Sequence, residues 1–194
     1  MSELLVLAST SPRRRQLLEM LGIEIVVRPS HIPEEVRPGE APVAYSLRLA
    51  REKALGVPGL LVLGADTIVV LNDEILEKPT DAGHALEILS KLQGQTHQVI
   101  TSVALQHGGE VRTRTDVTSV IFRPASEEAL RAYIATGEPM DKAGAYGIQG
   151  YGAVLIERVE GDCFGVMGLP VRLVLDLLRE AGYAYTFATG LQRV

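Results

Sequence analysis

The sequence predicts an α/β fold: a mixed, curved β-sheet flanked by helices, with two lobes around a central cleft. Three observations carry this reading. Short apolar runs alternate with helical patterns from the start, so the chain opens as β-α-β. Two long β-prone runs flank His107-Gly108-Gly109, a spacing that favours an antiparallel hairpin. A parallel opening joined to antiparallel hairpins calls for a curved sheet with its helices outside. At 194 residues the chain has the length of one domain, read here as residues 1–194.

Residues 4–8 form the first strand. Ser11 then caps a helix over 12–21, Pro12 supplies the fixed φ of a first helical position, and Gly22 ends it. A second strand follows at 24–28, and a proline-rich loop over 30–42 carries the acidic pair Glu34-Glu35. The helix expected at 43–55 puts Val43, Leu47, Ala50 and Ala54 on one stripe, leaving Arg48, Arg51 and Glu52 to solvent and Lys53 near its end. Residues 60–71 read as a buried strand, Asn72-Asp73 as a turn, and 74–77 as a returning strand broken by Lys78-Pro79. A helix over 81–92 buries Leu86, Leu89 and Leu92 and stops at Gly94. The hairpin strands are 96–106 and 110–122, and Ser126 caps a helix to about Thr136. Beyond a loop over 137–152, strands are expected at 153–159 and 163–167, and Pro170 opens a last helix. The segment after Tyr185 shows no motif.

The net charge of −5 argues against a general nucleic-acid binder, and three Phe with no Trp give little for base stacking. Any anion site must be local and its anion small. Lone Cys163 excludes an internal disulfide framework and, in an apolar strand, reads as an inert core thiol. No apolar stretch approaches the ~20 residues that span a bilayer. The short N-terminal run lacks a cleavage pattern, so the expectation is a cytoplasmic protein without membrane contact.

Three segments carry unusual chemistry. Ser9-Thr10-Ser11-Pro12-Arg13-Arg14-Arg15 loads cations onto a helix start, where each costs about 0.3–1 kcal/mol unless an anion sits nearby. Phosphate held by backbone N–H groups, the serines and an arginine fork accounts for it; a solvated basic face is the plainer alternative. Asp66 interrupts the apolar run at 60–71 and needs a partner there: a metal ion, an arginine, a backbone cap or a shifted proton. Gly64 also allows a bulge at that point. Glu34-Glu35 suits Mg2+, which takes a few carboxylates along with waters and substrate phosphates, although surface charge is the default for such a pair. Lys53 and Lys78 read as phosphate-neutralising or merely solvated lysines, and Pro79 limits the directions open to Lys78.

Residues 141–152 are rich in glycine, which permits close backbone approach to a ligand or a mobile loop. The spacing fits neither a dinucleotide-binding turn nor a Walker A loop. Within it the Gln149 amide, donor beside acceptor, matches the O4 and N3–H edge of uracil or thymine; a surface amide is the alternative. The four histidines show neither zinc spacing nor a triad pattern.

Ser9-Thr10-Ser11-Pro12-Arg13-Arg14, Gly64-Ala65-Asp66-Thr67, Glu77-Lys78-Pro79, Gly94-Gln95-Thr96-His97 and the segment from Asp141 to Gly150, in this order, resemble the Maf family of nucleotide pyrophosphatases over nearly the whole chain. The resemblance implies hydrolysis of a nucleoside triphosphate to monophosphate and pyrophosphate, with Mg2+ or Mn2+ as cofactor, as house-cleaning of nucleotide pools. Around Gln149 the chain is similar to the branch acting on dTTP and UTP, with the 7-methyl-GTP branch and a non-catalytic nucleotide sensor of cell division as alternatives. In that branch the positions of Arg13, Thr67 and Gln149 are linked to substrate choice and that of Asp66 to the catalytic base. By the same resemblance Arg13, Arg14, Lys53 and Lys78 neutralise phosphate, Glu34 and Asp66 support metal and water, Ser9 and Ser11 orient the loop, and a homodimer is expected. Pro33 stands where many relatives carry an acid, so Glu34 and Glu35 could exchange roles; the surrounding spacing favours Glu34.

Overall fold

The computed structural model describes residues 4–194. Its element order is β1 (Leu5–Leu7), α1 (Pro12–Met20), β2 (Ile25–Val27), α2 (Pro42–Leu55), β3 (Leu61–Leu71), β4 (Glu74–Leu76), α3 (Ala82–Leu92), β5 (Thr96–His107), β6 (Glu110–Phe122), α4 (Glu127–Ala135), three 3-10 turns, β7 (Ile156–Glu160), α5 (Cys163–Met167), α6 (Val171–Glu180), β8 (Tyr183–Thr186) and β9 (Gly190–Arg193). The main sheet runs β2-β1-β3-β5-β6-β7, with β4 on β3 off that path. It is mixed, as expected: β1 pairs in parallel with β2 and β3, whereas β4 on β3 and β7 on β6 are antiparallel.

The chain divides into two compact units. The first holds Met1–Asp66, Thr101–Asp116 and Gly168–Val194; the second holds Thr67–Ile100 and Val117–Met167. In the first, α2 lies so close to β3 that a Cβ at Gly64 would stand 2.3 Å from the Ala50 carbonyl oxygen and 2.6 Å from the Ala54 nitrogen. Glycine is therefore required at 64 for helix-on-strand contact, and β3 runs through it from Leu61 to Leu71. In the second, Val69, Leu76, Ile88, Leu89, Leu92, Phe122 and Leu130 belong to one core. The Asn72-Asp73 turn has φ of 50° and 65°, the two left-handed residues of a tight two-residue hairpin.

Ser11 and Ser126 cap α1 and α4 as expected, and Asp81, expected as the first residue of its helix, caps α3; each side chain accepts from the backbone three residues on. Three readings are corrected. Residues 163–167 are the short helix α5, not a strand, because Asp162 Oδ1 accepts the N–H groups of Phe164 and Gly165 and starts a helical turn that overrides the apolar composition. Cys163 at its start is exposed and is no core thiol. On α2 the buried side is Tyr45, Ser46, Leu49, Ala50, Lys53 and Ala54; Val43 is exposed, Leu47 only partly buried, and Arg48 and Glu52 face ionic partners rather than bulk solvent. The quiet C-terminal segment is the β8-β9 hairpin. Among the described residues, no helix is long and apolar enough to cross a membrane.

Candidate active site

Asp66 lies in β3, 4 % exposed, where an apolar strand would leave its charge unpaid. Its partner comes from α2. Lys53 follows Leu49 by four residues and Ala50 by three, so it shares the face that Gly64 admits onto the strand. Lys53 Nζ donates to Asp66 Oδ1 at 2.8 Å and lies 2.9 Å from Glu34 Oε1. The second oxygen of the buried carboxylate, Asp66 Oδ2, has no hydrogen-bond partner among the described residues. The Asp66 backbone carbonyl accepts from Ser46 Oγ at 3.4 Å.

Glu34 reaches this ammonium from a loop without regular structure, and the loop is tied down from α2. Tyr45 Oη donates to the Glu34 carbonyl at 3.2 Å and Arg48 Nη2 to the Glu35 carbonyl at 2.9 Å. Arg48 also forks onto Glu40, with Nε and Nη2 each 2.7 Å from a carboxylate oxygen. The hydrogen bonds from Arg48, with one from the Arg37 N–H, hold the Glu40 carboxyl down to about 2; the same fork raises the Arg48 guanidinium. Glu34, and not Glu35, therefore brings its carboxylate to Lys53.

The arginine run separates once folded. Arg14 is buried: Nε donates to the Gly168 carbonyl at 2.8 Å and Nη1 to Ser9 Oγ at 3.0 Å. Burial pushes its guanidinium down, and the charges of Asp66 and Glu34 pull it back up, which marks Arg14 as part of the same charge cluster. Ser9 Oγ also accepts the Ser11 N–H at 3.2 Å, while Ser11 Oγ caps α1 at the Arg14 N–H. Arg13 is half-buried, and Arg15 is taken by Glu19 at 2.7 Å on the surface.

Thr67, next to Asp66 in β3, is partly buried; Lys78 is exposed just past β4; and Gln149 is exposed in the glycine-rich segment. These three lie in the second unit and Ser9, Ser11, Arg13, Arg14, Glu34, Lys53 and Asp66 in the first. His97 is buried, with Nε2 2.8 Å from Tyr146 Oη and its ring edge-on to Phe122 at 4.9 Å. Burial pushes its pKa down to about 4.

Lys53 is not among the partners that the sequence offers for Asp66, and Arg48, expected in solvent, is ion-paired. The signal for Lys53 was its spacing to Leu49 and Ala50, visible once the stripe is shifted from Val43 to Tyr45. Among the described residues no group of three or more His, Cys, Asp or Glu side chains gathers to hold a metal alone. Asp66 and Glu34 instead form a pair of hard oxygen donors already drawn together by one cation, with Asp66 Oδ2 unspent. That set fits a divalent cation which fills its remaining positions with water and phosphate oxygens.

Residues 4–181 match the family described as Maf-like protein. A dTTP/UTP pyrophosphatase of Aquifex aeolicus (strain VF5) is 48% identical over 179 residues, covering 90% of this chain and 94% of the relative. One from Chromobacterium violaceum is 48% identical, covering 91% and 94% of the two chains. One from Escherichia coli O6:K15:H31 is 49% identical, covering 90% and 91%.

Proposed function

The chain belongs to the Maf family, and from that premise we propose that it hydrolyses dTTP and UTP to the nucleoside monophosphate and pyrophosphate. It is a nucleoside triphosphate pyrophosphatase. The observation that carries the reading is the buried Asp66 carboxylate, paired through one oxygen with Lys53 and left open at the other. A protein that only sensed a triphosphate would need the cations but not a second, unspent carboxylate oxygen facing a polyanion.

Asp66 takes the proton of a water whose oxygen attacks the α-phosphorus in line, and the bond from that phosphorus to the bridging oxygen breaks to release pyrophosphate. Lys53 keeps the Asp66 carboxylate oriented and, with Arg13, Arg14 and Lys78, offsets the charge of the triphosphate. Ser9 and Ser11 hold the loop that carries the arginines. Glu34 and Asp66 would hold the divalent cation, for which we propose Mg2+; it would polarise phosphate oxygens and lower the pKa of water. Thr67 and Gln149 set substrate choice, the amide of Gln149 by pairing with the O4 and N3–H edge of the pyrimidine. We read residues 1–194 as one domain, a reading supported by three of the four passages of the chain between its two units falling inside β3, β5 and β6. A homodimer in the cytoplasm is the setting we propose, on the family resemblance.

Pyrophosphate release from dTTP, UTP, CTP, dATP, GTP and 7-methyl-GTP, with Mg2+ and with chelator, tests the reading. Metal-dependent release from dTTP and UTP supports it. Release from 7-methyl-GTP alone moves the protein to the other branch, and binding without release from any nucleotide overturns the enzyme.

A further inference from the structure

We propose that Glu138, acting with Tyr133, is the positioning residue for Gln149, and that the preference for uracil and thymine over cytosine depends on this pair. The inference rests on Gln149 reading the base.

Glu138 opens the 3-10 turn Glu138–Asp141 that follows α4. One carboxylate oxygen accepts the Tyr151 N–H at 2.8 Å; the other accepts the Gly152 N–H and the Tyr133 hydroxyl, each at 2.9 Å. The Tyr133 hydroxyl in turn accepts the Gly147 N–H at 3.2 Å. Residues 147–152 are thus tied at both ends to one anion and one phenol, with Gln149 between the ties. Burial opposes the charge on Glu138, but the bonds from Gly152, Tyr151 and Tyr133 outweigh it and hold the carboxyl below its ordinary value. Burial and Glu138 together raise the Tyr133 phenol, so it remains a donor.

The glycines of this segment serve the clamp. Gly150 has φ of +102°, and a Cβ there would stand 2.5 Å from Glu138 Oε2. At Gly152 it would stand 2.6 Å from the Tyr133 hydroxyl and 2.4 Å from the Gly147 carbonyl. Close approach at these two positions is to the protein's own carboxylate, phenol and backbone. A loop so tied presents the exposed Gln149 from a fixed backbone. That matters for selectivity because a carboxamide carries both a donor and an acceptor. It pairs with uracil, and with cytosine when turned over, so it discriminates by where it is held rather than by what it carries.

The test measures kcat and KM for dTTP, UTP and CTP in wild type, Glu138→Gln, Tyr133→Phe and Gln149→Ala, with the Tm of each. Replacing Glu138 by Gln turns one of two acceptors into a donor facing an N–H. The expected result is a drop of about tenfold in the dTTP-to-CTP ratio of kcat/KM for Gln149→Ala, the scale of one net hydrogen bond to an exposed amide. A drop of roughly three- to tenfold is expected for Glu138→Gln and a smaller one for Tyr133→Phe, carried by KM for dTTP with kcat on CTP unchanged. If Gln149→Ala shifts the ratio while Glu138→Gln and Tyr133→Phe lower all three nucleotides alike, or none, the positioning role is overturned and the reading of Gln149 stands. If Gln149→Ala leaves the ratio unchanged, that reading falls and the proposal with it. Should Glu138→Gln fail to fold, Tyr133→Phe, which removes a single hydroxyl, decides between the same outcomes.

Discussion

Lys53 Nζ on α2 donates to Asp66 Oδ1 on β3 over 2.8 Å, and both side chains are less than a tenth exposed. A buried pair of this kind separates chemistry from stability. Asp66→Asn keeps a partner for the ammonium and removes the proton acceptor, so kcat should fall roughly 10²–10⁴-fold while dTTP still binds. Lys53→Met strands a buried carboxylate and should cost about 3–5 kcal/mol of stability. Turnover and nucleotide calorimetry check the first, urea unfolding the second. Near-normal turnover in Asp66→Asn would remove it as the base.

Glu34 and Glu35 are neighbours in sequence and differ in what they offer. Glu34 brings its carboxylate to Lys53 at 2.9 Å, whereas Glu35 gives its backbone carbonyl to Arg48. Glu34→Gln should therefore lower turnover and raise the Mg2+ concentration needed for half-maximal rate. Glu35→Gln should leave both unchanged. Metal titrations of the two variants decide it, and equal effects would mean that the loop exchanges the two acids.

The fork of Arg48 on Glu40 fixes the loop that carries Glu34. Lysine cannot reproduce two parallel hydrogen bonds, so Arg48→Lys should raise amide exchange over residues 34–40 and lower turnover by about tenfold. The Glu40 carboxyl is held to about 2, so the pairing is complete above the ordinary value of 4.5 and is lost only as pH falls toward 2. Exchange protection of the loop should persist from neutral pH to pH 5 in wild type and be absent at both in Glu40→Gln.

The strand-helix order was legible wherever turn chemistry and apolar period agreed: Ser11 and Ser126 as caps, Asn72-Asp73 and Gly108-Gly109 as hairpin turns. Asp66 was legible as an anomaly because one acid in an apolar strand has to be compensated. Its partner was not, since a lysine near a helix end looks solvated until the buried face is centred on Tyr45, Leu49 and Ala50 rather than on Val43 and Leu47. Residues 163–167 misled for a related reason: an apolar run of five has no period of its own, and the Asp162 carboxylate decided between strand and helix. The ties from Glu138 and Tyr133 to residues 147–152 span 13 or 14 positions and run through backbone N–H groups, which no side-chain pattern encodes.

Gly64 carries a prediction of its own. A methyl group there would press on the Ala50 carbonyl and the Ala54 nitrogen, and both are backbone that cannot rotate away. Gly64→Ala should cost about 1–3 kcal/mol as α2 shifts outward. The shift carries Lys53 from Asp66, so kcat should fall as well. A variant with lowered Tm and full turnover would show that Lys53 can reach Asp66 from a displaced helix.

His97 links acid sensitivity to the core of the second unit. Its ring is buried against Phe122 and Tyr146, Nδ1 has no partner among the described residues, and burial pushes its pKa from 6.5 down to about 4. Between those values the unfolded chain binds a proton that the folded one refuses, so stability falls as pH falls. The contribution is whole above pH 6.5 and should shrink by about 2–3 kcal/mol on going to pH 4.5. His97→Gln keeps a group able to meet the Tyr146 hydroxyl but cannot titrate. Urea unfolding of both proteins at pH 7 and 4.5 should show wild type losing that much more than the variant. Equal losses would mean that the imidazole protonates in place, and that the packing around Phe122 and Tyr146 opens to water without unfolding.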